Sequence, residues 1–579
     1  MGNQLIPNTN VNKELRGNSG VNHQWQMYYG VRTDKTKEEV TVFLFDKKPI
    51  SKMASGKEEF LNVLKREPEI LGKFQHPGIL KVMDPLIEDP KRIAYTTERV
   101  VASLSNLIES NNISEINFSD LDIKLHILSL AETLNYLHRE VRAAHLSISP
   151  ENIYIMSNGN WKLGGFSFST QLINGEVGES KADFTQKPGQ IKLTPSVRFT
   201  APEVTRTPSL CSLNSDMFSL ACLIYTLYKI KNDNGTHDPY LIKANSLHGY
   251  LEAIQTLERN DFFHIPEEIR PTIIGMLHLN PSSRMSSTDF VNHMWFKDPF
   301  IQTVKTLENI HERDYTQQQN FLKGLCMIIL KFEPSFILRR IIPTINNLLK
   351  NTQLAPSIFA IYFKIMEPQD QPILNRGQFK TLIWPSIRTI VTGKEISAQA
   401  LFILMQQMEM FVGHLEIKEI ETVFVPLLIK SFECGVQKLQ DLALKQSLFI
   451  FDKIDYLVLK SQILPKILAL ALASNIDLRK GATLMLSKTF HVFDTHVITL
   501  QILPVLEKLQ KMNNNYAINI AMLTIYQGIA KDIGIDVRFF SFLEFISLIF
   551  SLSFHFSQFV VFPPEFRFFR LLLTKSLYR

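Results

Sequence analysis

The 579 residues suffice for about three or four domains at ~150 residues each, and 45% apolar with 20% charged residues excludes a disordered chain. A net charge of +6 allows a basic patch for lipid headgroups or RNA but excludes the strong basicity of a dedicated nucleic-acid binder. Cys211, Cys222, Cys326 and Cys434 show no CxxC spacing, so neither a zinc site nor a disulfide framework is expected. With no secretory leader, the expected compartment is reducing and cytosolic.

Residues 1–20, rich in Asn and Gly, read as a flexible lead-in, and Ile6 stands where a myristoylation signal on Gly2 would want Ser or Thr. Between residues 25 and 100, β-like runs such as VTVFLF (40–45) and RIAYTTERV (92–100) surround a helical segment, 57–74. A helix follows over 122–141, where Leu125, Leu128, Leu134 and Leu137 form one apolar stripe. IYI (153–155) and WKL (161–163) flank Asn158-Gly159, which predicts a tight hairpin. Beyond about residue 305, Pro343, Pro385, Pro426, Pro465 and Pro504 each sit near the start of an apolar helical run, at intervals of 42, 41, 39 and 39 residues. That period predicts stacked HEAT-type helix pairs over 305–535. The Phe-rich end, 536–579, can be read as a membrane anchor, a partner-covered helix or an end foreign to the fold; Glu544 and His555 weigh against the first.

The loop HLSISPENIYI (145–155) has the rhythm of a protein-kinase catalytic loop, and it lies where that loop belongs, between a long helix and a hairpin. Phosphoryl transfer needs a glycine-rich loop, a strand lysine paired with a helix glutamate, metal-binding side chains and a proton acceptor. Here the expected lysine is Phe43, the proton acceptor is Ser147, the loop lysine is Ser149 and the metal carboxylate of the D-F-G signal is Gly165. Serine cannot accept a proton near neutral pH, and such base catalysis contributes ~10²–10⁴ in rate. Asn152 alone is a poor magnesium ligand. No catalytic residue is therefore expected, nor magnesium, and ATP binding is expected to be weak or absent. Remnants of a nucleotide surface would be Gly17, Gly20, Glu67, Thr97, Glu98 and Asn152, with Glu67 either solvated or locally bonded for want of a lysine. The framework parts remain: His145, Phe166, Glu203 of Ala-Pro-Glu, Asp216 as a loop anchor, and Arg284 placed to pair with Glu203.

On these motifs the chain resembles the Scy-like pseudokinases, a kinase-like head joined to HEAT repeats, and most of all their clathrin-coated-vesicle-associated branch. The carriers are EEVTVFLFDKK (38–48), ASLSNLIE (102–109), HLSISPENI (145–153), NWKLGGFSF (160–168), Ala-Pro-Glu with SDMFSLA, and NFLKGL (320–325). The resemblance implies an α+β bilobal kinase-like domain over 21–300 (N-lobe 21–98, C-lobe 99–300), followed by an all-α HEAT-repeat solenoid. It also implies a scaffold peripherally attached to Golgi, endosomal or coated-vesicle membranes that recruits trafficking proteins through 305–535. Clathrin or its adaptors are implied partners, although the polar tail that carries their motifs in that branch is replaced here by the Phe-rich stretch. Asp298-Pro299-Phe300 has the form of an adaptor-ear peptide but reads better as a structural turn. Two other readings stay open: an unconventional ATP-binding kinase using Glu151 or Lys162, and a tRNA-binding trafficking adaptor, as some members of the wider family are associated with tRNA.

Overall fold

The computed structural model describes residue 6 and residues 9–532, apart from 54, 111–118, 173–176, 186–191, 234–237, 368–371, 394–395 and 513–514. The Phe-rich segment 536–579 lies outside the described residues. The described chain falls into two compact units, Met1–Arg313 with Lys331–Thr344, and Asp314–Leu330 with the residues from Ile345 onward.

The first unit opens with an antiparallel sheet of β1 (Thr9–Ser19), β2 (Trp25–Arg32), β3 (Glu39–Asp46), β4 (Val82–Glu88) and β5 (Arg92–Glu98), in the order β1-β2-β3-β5-β4. β3 is its centre, because Val40, Val42, Phe43 and Phe45 are all buried, as suits a strand covered on both faces. Helix α1 (Lys57–Leu71) buries Phe60, Leu64, Glu67 and Leu71 on one stripe. The flexible lead-in expected over 1–20 is not what forms: residues 9–19 pair with β2, and Ile6 is buried against Val42 and Ala94. The polar sequence of β1 hid it, since an edge strand needs few apolar residues.

The second layer is helical. A short strand β6 (Val100–Ser103) leads to α2 (Leu104–Glu109) and α3 (Asp120–Tyr136). Ser119 and Asp122 close the start of α3 in a reciprocal capping box. After the two-residue strand β7 (Ala143–Ala144) comes the hairpin of β8 (Ile153–Met156) and β9 (Trp161–Leu163), turned at Gly159 with φ 79°. Helix α4 (Leu213–Asp233) is apolar on nearly every side, from Met217 to Ile230, and accordingly runs through the core of this layer. The helical region expected to begin at 305 yields 331–344 to the first unit. Arg339 pairs with Asp122 at 3.4 Å, Arg340 donates to the Asn158 carbonyl at 3.3 Å, and Phe332 meets Phe300 edge-on.

The second unit is a series of helix pairs whose inner faces carry Leu, Ile and Phe, an all-α repeat solenoid. Neighbouring repeats are laced by polar contacts 34–38 residues apart. Trp384 Nε1 donates to Glu419 at 2.8 Å, the Asp455 amide to Glu421 at 2.8 Å, and Lys460 Nζ to Asp494 at 3.5 Å. The recurrent prolines sit near helix starts as expected, each the second residue of Ile342–Leu348, Trp384–Val391, Val425–Glu433, Leu464–Ala471 or Leu503–Gln510. Each is preceded by one wide turn in which the residue before proline donates to the carbonyl five positions back: Ile342 to Ile337, Trp384 to Phe379, Val425 to Ile420, Leu464 to Leu459 and Leu503 to Ile498. Proline lacks the amide and its ring would strike the carbonyl four residues back, and the extra residue in the turn relieves both. No helix among the described residues is long and apolar enough to cross a membrane.

Candidate functional site

The loop 145–152 hangs from α4. Asp216, fully buried, accepts the His145 amide at 2.7 Å and the Leu146 amide at 2.8 Å, while its Oδ2 lies 2.9 Å from His138 Nε2. Leu146 is thereby held at φ 65°, a left-handed conformation that costs a branched residue ~1–2 kcal/mol. Burial pushes the His145 imidazole down to about 4, so the ring is neutral at pH 7. One tautomer then serves both contacts: Nε2–H donates to the Gly164 carbonyl at 2.8 Å and Nδ1 accepts the Ser147 amide at 3.2 Å. The same ring meets Phe166 edge-on, with Phe74 beyond it.

Asn152 turns inward, its Nδ2 donating to the Ser147 carbonyl at 2.7 Å, Ser147 Oγ at 2.9 Å and Ser149 Oγ at 3.3 Å. Its Oδ1 has no hydrogen-bond partner among the described residues and faces Gly165, where an added Cβ would sit 2.4 Å away. Gly165 also has φ 76°, so the position accepts only glycine without rearrangement. Above the loop, Phe43 stacks on Tyr95 at 4.9 Å and 12° and meets Tyr154 edge-on, while Trp25 stands edge-on to Tyr95 from the other side. All four rings are fully buried. Gly20 (φ 70°) begins a helical turn, Val21–His23, and its amide donates to the Glu151 carbonyl at 3.0 Å. The β1–β2 turn is thus folded onto the loop. Near Gly17, Asn106 of α2 donates to the Asn18 carbonyl at 3.0 Å.

Glu67 is locally bonded rather than solvated: its carboxylate accepts the Gly165 amide at 2.7 Å and Ser167 Oγ at 3.3 Å. Desolvation raises its pKa to about 7, against the lowering effect of those two bonds. A carboxyl with a raised folded pKa stabilises the fold fully below about pH 4.5, the unfolded value, and that contribution is gone once the pH passes about 7. The expected loss is about 3 kcal/mol. Glu67→Gln, which keeps an acceptor for Gly165, is expected to show a shallower decline between pH 5 and pH 8 in denaturant midpoints; parallel declines would refute this assignment.

The remaining sequence-derived positions form separate groups. Thr97 donates to the Glu98 carbonyl, and Glu98 accepts Lys81 N–H at 2.9 Å and Lys162 Nζ at 2.7 Å. Lys162 is therefore tied to Glu98, and the Glu151 side chain is buried. Glu203 and Arg284 make a two-pronged pair at 2.7 and 2.8 Å, with Arg284 Nε also donating to the His278 carbonyl at 2.7 Å. Asp298 caps the helix Pro299–Glu308 by accepting the Phe300 amide at 2.9 Å. Sequence reasoning missed Trp25, Tyr95 and Tyr154; each lies in a short β-like run, but the sequence carries no signal that brings them to Phe43.

The protein kinase domain model matches residues 28–296. Over 544 residues, 91% of this chain, it is 27% identical to SCY1-like protein 2 of Homo sapiens and covers 57% of that relative. It is 25% identical to the protein kinase-like protein SCY1 of Saccharomyces cerevisiae, over 56% of this chain and 44% of the relative. With the probable inactive serine/threonine-protein kinase scy1 of Dictyostelium discoideum the identity is 23%, over 74% and 47%. The chain thus spans about half the length of these curated relatives. With a kinase-like head of this loop architecture followed by helical repeats, the chain is similar to SCY1-like proteins over most of its length.

Proposed function

We propose that this chain is a catalytically inactive kinase-fold scaffold of vesicle trafficking, recruiting protein partners through its helical repeats and using no magnesium nucleotide. The observation that carries the inactive reading is the packed cleft. Phe43 stands at the position of the strand lysine with Tyr95 and Tyr154 packed against it and Trp25 edge-on to Tyr95, and Gly20 closes on Glu151. The residues present do not suit a magnesium nucleotide. At the metal and base positions Gly165 and Ser147 offer no carboxylate, and a side chain at 165 would collide with Asn152. Glu67, freed of a lysine, braces the backbone of 165–167 instead. The relative named as a probable inactive kinase agrees with this reading.

Thermal-shift titration of the full chain with ATP, with and without magnesium, tests it. Binding would raise the midpoint in proportion to occupancy, and none is expected up to millimolar nucleotide. A magnesium-dependent rise, with labelled phosphate transfer abolished by Asn152→Ala, would overturn it. The trafficking role rests on the family resemblance and on the repeats as a partner-binding surface. In cells, proximity labelling with the full chain should enrich coat, adaptor or tethering proteins of Golgi, endosomal or coated-vesicle membranes; enrichment confined to other compartments would refute that part.

A further inference from the structure

A groove of about 560 Å³ runs between the outer face of α1 and the segment that follows Phe166, a volume typical of ligand pockets. It belongs to the first unit, and Ser167 on its edge is the residue whose hydroxyl donates to the buried Glu67. On α1 its wall is built by Glu58, Asn62, Val63 and Arg66; opposite stand Phe168 and Lys181. Positions 59, 62, 63 and 66 share one face of a helix, so the groove follows the helix axis.

Its charges are sorted by sign. At one end Arg66 and Lys181 converge, and neither has an ion pair among the described residues. Among the described residues Arg66 donates to the Ser169 carbonyl. Partial burial and the Arg66 charge both lower the Lys181 pKa, while the Glu69 carboxylate acts on Arg66 in the opposite sense to its own desolvation. The neighbouring Lys192 is spoken for by Asp183. At the other end, by the first turn of α1, stand the exposed carboxylate of Glu58 and that of Glu59, which has an interaction partner of its own. Between them Val63 and Phe168 give an apolar floor. On the facing segment Ser180 accepts the Ala182 amide and Thr185 binds Asp183, so these hydroxyls are turned into their own backbone rather than toward the cations.

We propose that this groove docks an extended peptide of a partner protein, with a phosphorylated serine or threonine held between Arg66 and Lys181 and a basic residue facing Glu58. Phosphate offers several acceptor oxygens to two cations at once, which a single carboxylate does less well. The eight residue steps from Glu58 to Arg66 span about 12 Å of helix, so the two charged positions of an extended ligand lie about three or four residues apart. The site is independent of the repeats and of nucleotide, and it stands or falls separately from the scaffold reading above.

Fluorescence anisotropy of the full chain with two labelled peptide pools tests the proposal: Arg-X-X-phosphoserine and phosphoserine-X-X-Arg, each beside its unphosphorylated counterpart. One order is expected to bind about tenfold more tightly than its unphosphorylated form. Lys181→Gln and Arg66→Gln should each weaken it about tenfold, in line with a charge-assisted hydrogen bond. Glu58→Gln should erase the preference for one order while leaving the phosphate dependence. Equal binding of phosphorylated and unphosphorylated pools, no binding of either, or an unchanged Lys181→Gln variant would overturn it. So would an intact mass showing phosphate already on residues 177–185 of the chain together with peptide binding that appears only after phosphatase treatment, since the groove would then be filled from within.

Discussion

Phe43→Ala is expected to cost the first unit about 3–5 kcal/mol, the range for a large ring removed from a packed core, and to lower its unfolding temperature by roughly 10 °C. The size follows from its contacts. One face lies flat on Tyr95, an edge meets Tyr154, and the strand that carries it is the centre of the sheet. The space left behind would be bounded by Tyr95 and Tyr154, which are themselves fixed by neighbouring strands, so little collapse can refill it. Phe43→Leu should lose distinctly less, since most of the apolar volume remains. Thermal unfolding of the full chain and both variants measures this. An alanine loss under about 1 kcal/mol would mean that the cleft is loosely filled, and would weaken the inactive reading with it.

Arg284→Ala should be comparably harmful, about 3–5 kcal/mol, because it strands a carboxylate in the fold. Arg284 is almost wholly buried, and its guanidinium bonds Glu203 twice as well as the backbone at His278 and Asn214. Glu203 accepts a further bond from Ser215 Oγ at 2.7 Å, so three segments of the helical layer meet at this pair. Replacing both partners, Arg284→Met with Glu203→Leu, should recover much of the loss, as paired apolar substitutions at buried ion pairs commonly do. A double-mutant cycle on unfolding midpoints checks it. If the double variant were as unstable as the single one, the pair would owe its importance to the backbone bonds of Arg284 rather than to the charge of Glu203.

Much of this architecture was legible in the residues because local pattern and tertiary role agree. The alternation in VTVFLF marks a central strand, Asn158-Gly159 marks a hairpin, and a forty-residue rhythm marks stacked helix pairs. What escaped reading depends on distant partners. The strand at 9–19 is built from Asn, Lys and Glu and is recruited by pairing with β2, not by its own propensity. The cleft rings depend on register: Phe43 lies opposite Tyr95 across β3 and β5, whereas Tyr154 arrives from a hairpin more than a hundred residues away. The prolines were legible as helix starts, but the wide turns before them were not. A proline that begins a helix and one tolerated after a wide turn are followed by the same apolar residues, and only the hydrogen bonds on the preceding side tell them apart.

Those wide turns have a consequence for how the repeats find their phase. A helix that could wind regularly through the turn would swing its leading half by about 100° and point its core residues toward solvent. Proline forbids that tighter winding from the moment the helix forms, since the bond it would require has no donor. The ring therefore works as a ratchet tooth, cut at nearly even spacing along the chain, that fixes the rotational phase of each repeat before the next one stacks on it.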